Sequence, residues 1–330
     1  MQMLKAIVSD HTFPSLDLQR NVIEAAGFEI GQAQPKCVTE DDVIARCGDA
    51  DVLLVQWAAI TRRAMKNLPK LRAVVRYGIG VDNIDLDAAR ELRIGVANVP
   101  TYCLEEVSNH AMAMMLSLAR RIPQDHAGIL HGEWGVGPYL PIPAFLDMTL
   151  GLVSFGAIAR RVARKSKAFG FRIVAADPFV DESVFKQEGV ERVAMEELFK
   201  TSDIISLHCP LVPATTHLIR RDTIATMKPG VVIINTSRGP VIREADLADA
   251  LASGKVVAAG LDVFEREPLP ADSPLRSMRN VLLTSHAASA SSRAAVALQV
   301  KAAEAARDFL EGKRPEGALV WPSASNQDKQ

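Results

Sequence analysis

The chain has no excess of charge of either sign. Its 330 residues include 38 basic and 39 acidic side chains, which leaves a formal net charge of −1 at pH 7. A surface that binds nucleic acid or an anionic membrane concentrates positive charge, so neither partner is expected. No apolar run approaches the roughly 18 residues that a transmembrane helix needs. The N-terminus predicts a strand from Leu4 to Val8 rather than a signal peptide.

Cysteines and aromatic residues are also scarce. The four cysteines show no Cys-x-x-Cys spacing and follow no secretion signal, which indicates reduced thiols in a cytoplasmic protein. The seven histidines show no ligand spacing such as His-Glu-x-x-His, so no metal site is predicted. Apolar residues make up 48% of the chain but aromatic ones only 5%, a composition that suits an α/β protein packed by aliphatic side chains.

Strand and helix patterns alternate along most of the chain. This alternation predicts parallel sheets covered by helices, and the length suggests two domains. A long helix is predicted from about Leu104 to Arg121, followed by a loop rich in Gly and Pro from His131 to Pro143. An Ala-rich helix from about Ser291 to Leu310 closes the chain before a polar tail. The predicted fold class is α/β.

A dinucleotide-binding pattern lies in the middle of the chain. The strand that starts at Thr149 leads into the turn Ser154-Phe155-Gly156, a helical pattern follows, and a second strand ends at Asp177. This is the βαβ context that a Gly-x-Gly-x-x-Gly motif requires, in which the helix N-terminus binds a pyrophosphate. Asp177 is placed to accept hydrogen bonds from an adenosine ribose. Its carboxylate would repel a 2′-phosphate, so the expected cofactor is NAD rather than NADP.

The glycine pattern is incomplete. Ser154 stands where the first Gly is expected, and Ala159 replaces the third, where only close helix packing is required. Ser154 is unfavourable if the turn requires a positive φ. Gly156, which lets the backbone approach a phosphate, is retained.

Three chemically distinct residues each follow an apolar run in the last third of the chain: Arg238, Glu267 and His286. In an open α/β sheet, ligands bind beyond the carboxyl ends of the strands. A histidine donates a proton near neutral pH, and a neighbouring carboxylate favours its charged form. An arginine pairs bidentately with a carboxylate. The three residues therefore predict a proton-transfer site that also binds an anion.

Five motifs follow one another along the chain: Arg76 to Asp85, Ser154 to Ala159, Asn235 to Gly239, Leu261 to Pro268, and Ser285-His286. In this order they resemble the D-isomer-specific 2-hydroxyacid dehydrogenases, over about Leu4 to Val320. The resemblance implies two Rossmann-like, doubly wound domains with the active site in the cleft between them. Residues 1–101 plus 291–330 would form the substrate domain, and residues 102–290 the NAD-binding domain. It also implies a homodimer.

The resemblance assigns roles to individual residues. His286 would be the acid/base, Glu267 its partner, and Arg238 the anchor of the substrate carboxylate and carbonyl. Backbone N–H groups of Gly78 and Ile79 would bind the substrate carboxylate. The implied cofactor site comprises Phe155, Gly156, Ala157, Ile158, Asp177, Cys209, Pro210, Thr236, Ser237, Arg238, Asp262 and His286.

The expected reaction is NAD-dependent hydride transfer to or from a small D-2-hydroxy acid or its 2-keto counterpart. Gln56-Trp57 stands where phosphoglycerate-type members carry an Arg-Ser pair for phosphate, which favours a non-phosphorylated substrate such as glyoxylate or hydroxypyruvate. Ala157 replaces the usual Arg or Asn of the turn and removes a contact to the pyrophosphate. The alternative is an NAD(H)-sensing protein with little turnover, like the C-terminal-binding-protein corepressors of the same family.

Overall fold

The protein is represented by a computed structural model that describes residues 3–135, 137 and 140–322. Within these residues, contacts separate the chain into two compact units, with the divisions between Tyr102 and Cys103 and between Ala290 and Ser291. No helix in the described part of the chain is both long and apolar enough to cross a membrane.

The elements alternate along the chain. The first unit begins with β1 Lys5–Val8, α1 Asp17–Ala25, β2 Glu29–Gln32, α2 Glu40–Arg46, β3 Val52–Val55, α3 Arg62–Lys66, β4 Ala73–Arg76, α4 Leu86–Leu92 and β5 Gly95–Ala97. The second unit contains α5 Leu104–Ala119, α6 Ile122–Leu130, β6 Thr149–Val153, α7 Ala157–Lys167, β7 Arg172–Ala176, α8 Glu182–Glu188, β8 Glu191–Arg192, α9 Met195–Thr201, β9 Ile204–Leu207, α10 Arg221–Thr226, β10 Val231–Asn235, α11 Glu244–Ala252, β11 Val256–Leu261 and β12 Val281–Leu283. The chain then returns to the first unit with α12 Ser292–Leu310 and β13 Ala318–Val320.

The sheet of the first unit has the strand order β13-β5-β4-β3-β1-β2. All neighbours are parallel except β13, which runs antiparallel to β5. Every residue of β3 and β4 is buried, because helices cover both faces of a parallel sheet. The strand order reverses between β1 and β3, so the carboxyl ends of these two strands form the switch point where ligands bind in such sheets.

The sheet of the second unit has the order β12-β11-β10-β9-β6-β7-β8, and all its strands are parallel. Counted within the unit, this order is 3-2-1-4-5-6-7, which extends the doubly wound order of dinucleotide-binding folds by one strand. The predicted α/β, doubly wound fold class is confirmed. The switch point lies between β6 and β9, at Ser154 and His208.

Several helices begin at a polar cap, but α7 does not. The side chains of Thr39, Thr61, Asp85, Asp181 and Ser291 each accept a hydrogen bond from a backbone N–H in the first turn of a helix, as N-caps commonly do. Gly156 precedes α7 and provides no side-chain cap. The first N–H groups of α7 therefore lack a side-chain acceptor at the end of β6.

The structure differs from the sequence prediction in places. The predicted helix to Arg121 ends at Ala119, Arg121 adopts a φ of 58°, and α6 follows with Pro123 in its first turn. Pro is well tolerated at that position, but Pro and Gly in the segment obscured the helix. The short strands β2, β8 and β13 were not predicted, because two to four residues carry little periodicity.

Candidate active site

The turn after β6 is built tightly. Ser154 adopts a φ of 73°, so the turn requires the left-handed conformation that the missing Gly would have taken freely. Phe155 is fully buried and stacks on Phe185 with 4.6 Å between ring centroids. A Cβ on Gly156 would meet nothing within 4 Å. Open space therefore lies beside the residue that the motif requires for close approach of a phosphate.

Asp177 follows β7 and is bonded to this turn. Its Oδ2 accepts hydrogen bonds from Ser154 Oγ at 2.9 Å and Phe155 N at 2.8 Å. Its Oδ1 accepts from Phe179 N at 2.8 Å and Val180 N at 3.2 Å. Burial opposes ionisation of Asp177, but these hydrogen bonds outweigh it and lower its pKa. Asp177 is thus an ionised carboxylate at the position expected to face a ribose.

The residues after β9 lie on the other side of the switch point. His208 Nε2 and Ser206 Oγ are 2.9 Å apart, and burial lowers the pKa of His208 to about 4, so its imidazole is neutral. Burial raises the pKa of Cys209 to about 11, which makes it an unreactive thiol. Pro210 is exposed next to it. The predicted Cys209-Pro210 segment therefore offers an apolar edge rather than a charged group.

The loop after β10 carries Arg238. Asn235 holds this loop by donating from Nδ2 to Arg238 O at 2.9 Å and accepting at Oδ1 from Ser237 N and Oγ at 3.0 and 2.8 Å. Arg238 Nη1 donates to Ser237 O at 2.8 Å. A Cβ on Gly239 would approach Phe264 C to 1.8 Å. Only glycine therefore lets the Arg238 loop pack against the backbone that leads to Glu267.

The hydroxyl of Thr236, next to Asn235, is a buried polar atom without a hydrogen-bond partner among the described residues. Buried hydroxyls are rarely left unsatisfied without a reason. Together with the open space at Gly156 and the N-terminus of α7, which has no side-chain cap, this atom makes the residues present a good fit to a dinucleotide.

His286 and Glu267 form a close pair. His286 Nδ1 lies 2.7 Å from Glu267 Oε2, and Glu267 Oε1 accepts a hydrogen bond from Phe264 N at 3.1 Å. Burial acts to raise the pKa of Glu267, but the hydrogen bond and charge of His286, the Phe264 N–H and the charge of Arg238 lower it on balance. Glu267 is therefore ionised at neutral pH and stabilises a protonated imidazole.

Asp262 determines the backbone path around His286. Its carboxylate is 1% exposed and accepts hydrogen bonds from Thr284 Oγ1 at 2.5 Å, Ala287 N at 2.8 Å and Ala288 N at 3.0 Å. Its backbone oxygen accepts from His286 N at 2.8 Å, and His286 adopts a φ of 54°. Asp262 was predicted only as a cofactor contact. The structure adds that it holds the histidine loop in a strained conformation.

His110 of α5 extends this network. Its Nε2 lies 3.0 Å from Thr284 Oγ1 and 3.7 Å from the carboxylate of Asp262. The sequence analysis missed Thr284 and the contact to His110, because 174 positions separate the two residues. The only available signal was a hydroxyl two residues before His286.

In the first unit, Gly78 and Ile79 follow β4. Gly78 has a φ of 141°, and a Cβ there would lie 1.4 Å from Arg76 Nη1, so the Arg76 side chain covers this glycine. The Gly78 N–H donates to Arg76 O at 3.0 Å, whereas the Ile79 N–H has no hydrogen-bond partner in the part of the chain that the structure describes. The guanidinium of Arg76 also lies over the Trp57 ring, 5.7 Å from its centroid. The sequence analysis placed Arg76 at the start of a family motif but assigned no role to its charge.

Comparison of the sequence with known proteins identifies relatives of this chain. The sequence profile of the family described as D-isomer specific 2-hydroxyacid dehydrogenase, NAD binding domain, matches residues 112–288. A D-3-phosphoglycerate dehydrogenase of Methanocaldococcus jannaschii is 38% identical over 89% of this chain, but the match spans only 56% of that longer protein. A hydroxypyruvate reductase of Blautia hydrogenotrophica is 33% identical over 90% of this chain and 93% of its own length.

A solved structure agrees in fold. The D-lactate dehydrogenase of Aquifex aeolicus, crystallised with NAD and lactic acid, superimposes with a TM-score of 0.84 at 27% identity. The match covers 97% of this chain and all of that one.

Proposed function

Because the chain belongs to the family of D-isomer-specific 2-hydroxyacid dehydrogenases, we propose that it reduces a small, non-phosphorylated 2-keto acid, of the glyoxylate or hydroxypyruvate kind, to the D-2-hydroxy acid. NAD is the cofactor and, when bound in its reduced form, supplies the hydride. The observation that carries the proposal is the 2.7 Å pair of His286 and Glu267, with the charge of Arg238 acting on the same carboxylate.

The proton is supplied by His286. Glu267 engages Nδ1 of the ring, so Nε2 is the atom that donates to the carbonyl oxygen of the substrate. Transfer of a proton by a positioned side chain is typically worth about 10²–10⁴ in rate. Arg238 orients the keto acid and stabilises negative charge as it develops on that oxygen. The N–H group of Ile79 would bind the substrate carboxylate. The N–H group of Gly78 would also bind it once its hydrogen bond to Arg76 O is broken.

The roles on the cofactor side follow from the second sheet. Phe155, Gly156, Ala157 and Ile158 would hold the pyrophosphate at the start of α7, and Asp177 the adenosine ribose. The rest of the dinucleotide would be bordered by Cys209, Pro210, Thr236, Ser237 and Asp262. Within the chain, residues 102–290 would be the NAD-binding domain, and residues 1–101 with 291–330 the substrate domain.

The residues at positions 56 and 57 support a non-phosphorylated substrate. Gln56 Oε1 accepts a hydrogen bond from Thr12 N at 2.9 Å, so its side chain is used within the unit, and Trp57 carries no charge. Arg76 packs over Trp57 and is a cation close to these two residues. The experiment below therefore includes a phosphorylated keto acid.

A substrate panel tests the proposal. NADH oxidation is followed with glyoxylate, hydroxypyruvate, pyruvate and 3-phosphohydroxypyruvate. We expect kcat/KM for glyoxylate or hydroxypyruvate to exceed that for the phosphorylated acid by about 10-fold or more, since an unpaired phosphate is costly to desolvate. A preference for the phosphorylated acid would overturn the substrate assignment. If NADH binds but no keto acid is reduced, the NAD(H)-sensing alternative replaces the enzyme.

We also propose that the protein is a homodimer. The α6 helix and the segment after it expose a group of large apolar side chains: Ile122, Ile129, Leu130, Trp134, Leu140 and Leu146. Trp134 alone is 91% exposed. Exposed large apolar side chains mark protein–protein interaction sites where they lie together, and we propose that a second copy of the chain covers these.

All four cysteines are buried free thiols, which supports the cytoplasm as the location.

A further inference from the structure

Ser154 has a role that the dinucleotide motif does not assign. The register of β6 and β7 pairs Val153 with Ala176, so the residues that follow, Ser154 and Asp177, lie side by side. Ser154 adopts a φ of 73°, a conformation that its Cβ disfavours. Its hydroxyl nevertheless makes a well-formed hydrogen bond of 2.9 Å to Asp177 Oδ2.

The carboxylate of Asp177 has no acceptor capacity left. An ionised carboxylate offers about four lone-pair sites, and four donors bond to this one: Ser154 Oγ, Phe155 N, Phe179 N and Val180 N. Asp177 is only 9% exposed. A ribose hydroxyl that binds to it must therefore replace one of the existing donors.

Only one of the four donors can leave without moving the main chain. The N–H groups of Phe155, Phe179 and Val180 are fixed by the turns after β6 and β7. The hydroxyl of Ser154 moves with a single side-chain rotation between staggered rotamers. Ser154 is also half-buried rather than enclosed, so its hydroxyl can reach water after it rotates.

We propose that the Ser154 hydroxyl occupies, in the protein without cofactor, the acceptor site on Asp177 that an adenosine ribose hydroxyl takes when the cofactor binds. The exchange makes Ser154 a determinant of cofactor affinity: it satisfies the carboxylate before binding and must be displaced during binding. The inference depends on the proposed ribose role of Asp177. It implies that a variant of the protein without a hydroxyl at position 154 binds the adenosine half of the cofactor more tightly than the parent.

The test measures binding of AMP and of 2′,3′-dideoxy-AMP by calorimetry to the parent, Ser154→Ala and Ser154→Gly. The alanine variant removes only the hydroxyl, whereas the glycine variant also relieves the left-handed residue. Ser166→Ala is the matched control, because Ser166 is a buried serine of α7 whose hydroxyl bonds to Met112 Sδ and not to Asp177. Thermal unfolding of each variant verifies that it is folded.

The expected result is that both Ser154 variants bind AMP about 3- to 10-fold more tightly than the parent, the range that one net intramolecular hydrogen bond represents. Their affinity for dideoxy-AMP, and the affinity of Ser166→Ala for either ligand, should equal that of the parent. Equal or weaker binding of AMP by Ser154→Ala would overturn the exchange, because Ser154 would then support Asp177 rather than compete for it. A gain that is the same for both ligands would also overturn it.

The comparison of AMP with dideoxy-AMP distinguishes a failure of the Ser154 exchange from a failure of the ribose role of Asp177. If the parent binds dideoxy-AMP as tightly as AMP, Asp177 does not hold the ribose, and both the assignment and the exchange are wrong. If AMP binds more tightly than dideoxy-AMP in the parent but Ser154→Ala shows no gain, the ribose assignment stands and the exchange alone is wrong.

Discussion

The segment from Asp262 to Pro268 carries the glutamates of two histidine–glutamate pairs with nearly the same distance between imidazole and carboxylate. His286 Nδ1 lies 2.7 Å from Glu267, and His217 Nε2 lies 2.8 Å from Glu265. Both histidines have a positive φ, 54° and 51°. The distance between imidazole and carboxylate therefore does not distinguish an acid catalyst from a structural contact.

The surroundings of the two pairs differ. His286 follows β12 at the carboxyl edge of the sheet, the charge of Arg238 acts on Glu267, and Asp262 holds the loop. Glu265 instead exchanges backbone hydrogen bonds with Glu244 at the start of α11: Glu265 N donates to Glu244 Oε1 and Glu244 N to Glu265 Oε2. The charge of Arg238 acts on the first pair at a strand end, whereas the second pair fastens a loop to a helix.

Truncation of each histidine should separate the pairs most strongly. We expect His286→Ala to lower kcat for keto-acid reduction by about 10²-fold or more, because the proton donor is removed. His217→Ala should change kcat by less than about 2-fold, since this histidine fastens a loop to α11 and transfers no proton. Steady-state kinetics and NADH titration of both variants provide the measurement. Comparable losses of kcat in the two variants would show that the pairs are not distinct.

Asp262→Asn should have an intermediate effect. An amide can accept hydrogen bonds only through its oxygen, and its NH₂ group would face one of the donors Thr284 Oγ1, Ala287 N or Ala288 N. We expect the free energy of unfolding to fall by about 1–3 kcal/mol and kcat by about 10-fold, because the His286 loop loses its anchor. Thr284→Val, which keeps both backbone donors, should have a smaller effect on both quantities. If denaturant unfolding and kcat of Asp262→Asn match the parent, the anchoring role of Asp262 is wrong.

Local signals in the sequence were sufficient for the general architecture. Alternating strand and helix patterns predicted an α/β fold with parallel sheets, because each pattern depends on neighbouring residues alone, whereas the doubly wound architecture was implied by the family resemblance. The turn after Val153 could be predicted for the same reason, including the problem that Ser154 poses at positive φ. The helix α6 was missed because Pro123 and Gly128 interrupt its pattern, although Pro is tolerated in a first helical turn.

Contacts between distant positions could not be predicted in the same way. The bond between Ser154 and Asp177 follows from the register of β6 with β7, and register is a property of the folded sheet. His217 and Glu265 are 48 positions apart, and His110 and Thr284 are 174 apart. Arg76 was named only as the first residue of a family motif, and the folded unit brings its guanidinium against Gly78 and Trp57.

The most direct test of the central claim is the pH dependence of keto-acid reduction in Glu267→Gln and Glu265→Gln. The pKa of Glu267 is lowered. Glu267 is therefore fully charged above the usual carboxyl pKa of about 4.3, and its pair with His286 is intact there. The charge is lost only as the pH falls through the lowered pKa. Across the neutral range, the carboxylate favours the protonated imidazole.

Removal of the Glu267 charge should therefore displace the pH profile of reduction towards lower pH than in the parent. Glu265→Gln should leave the profile close to that of the parent, because its partner His217 fastens a loop to α11 and is not the proton donor. The account predicts a displaced profile for Glu267→Gln alone. A profile of Glu267→Gln identical to that of the parent, or a larger displacement in Glu265→Gln, would contradict it.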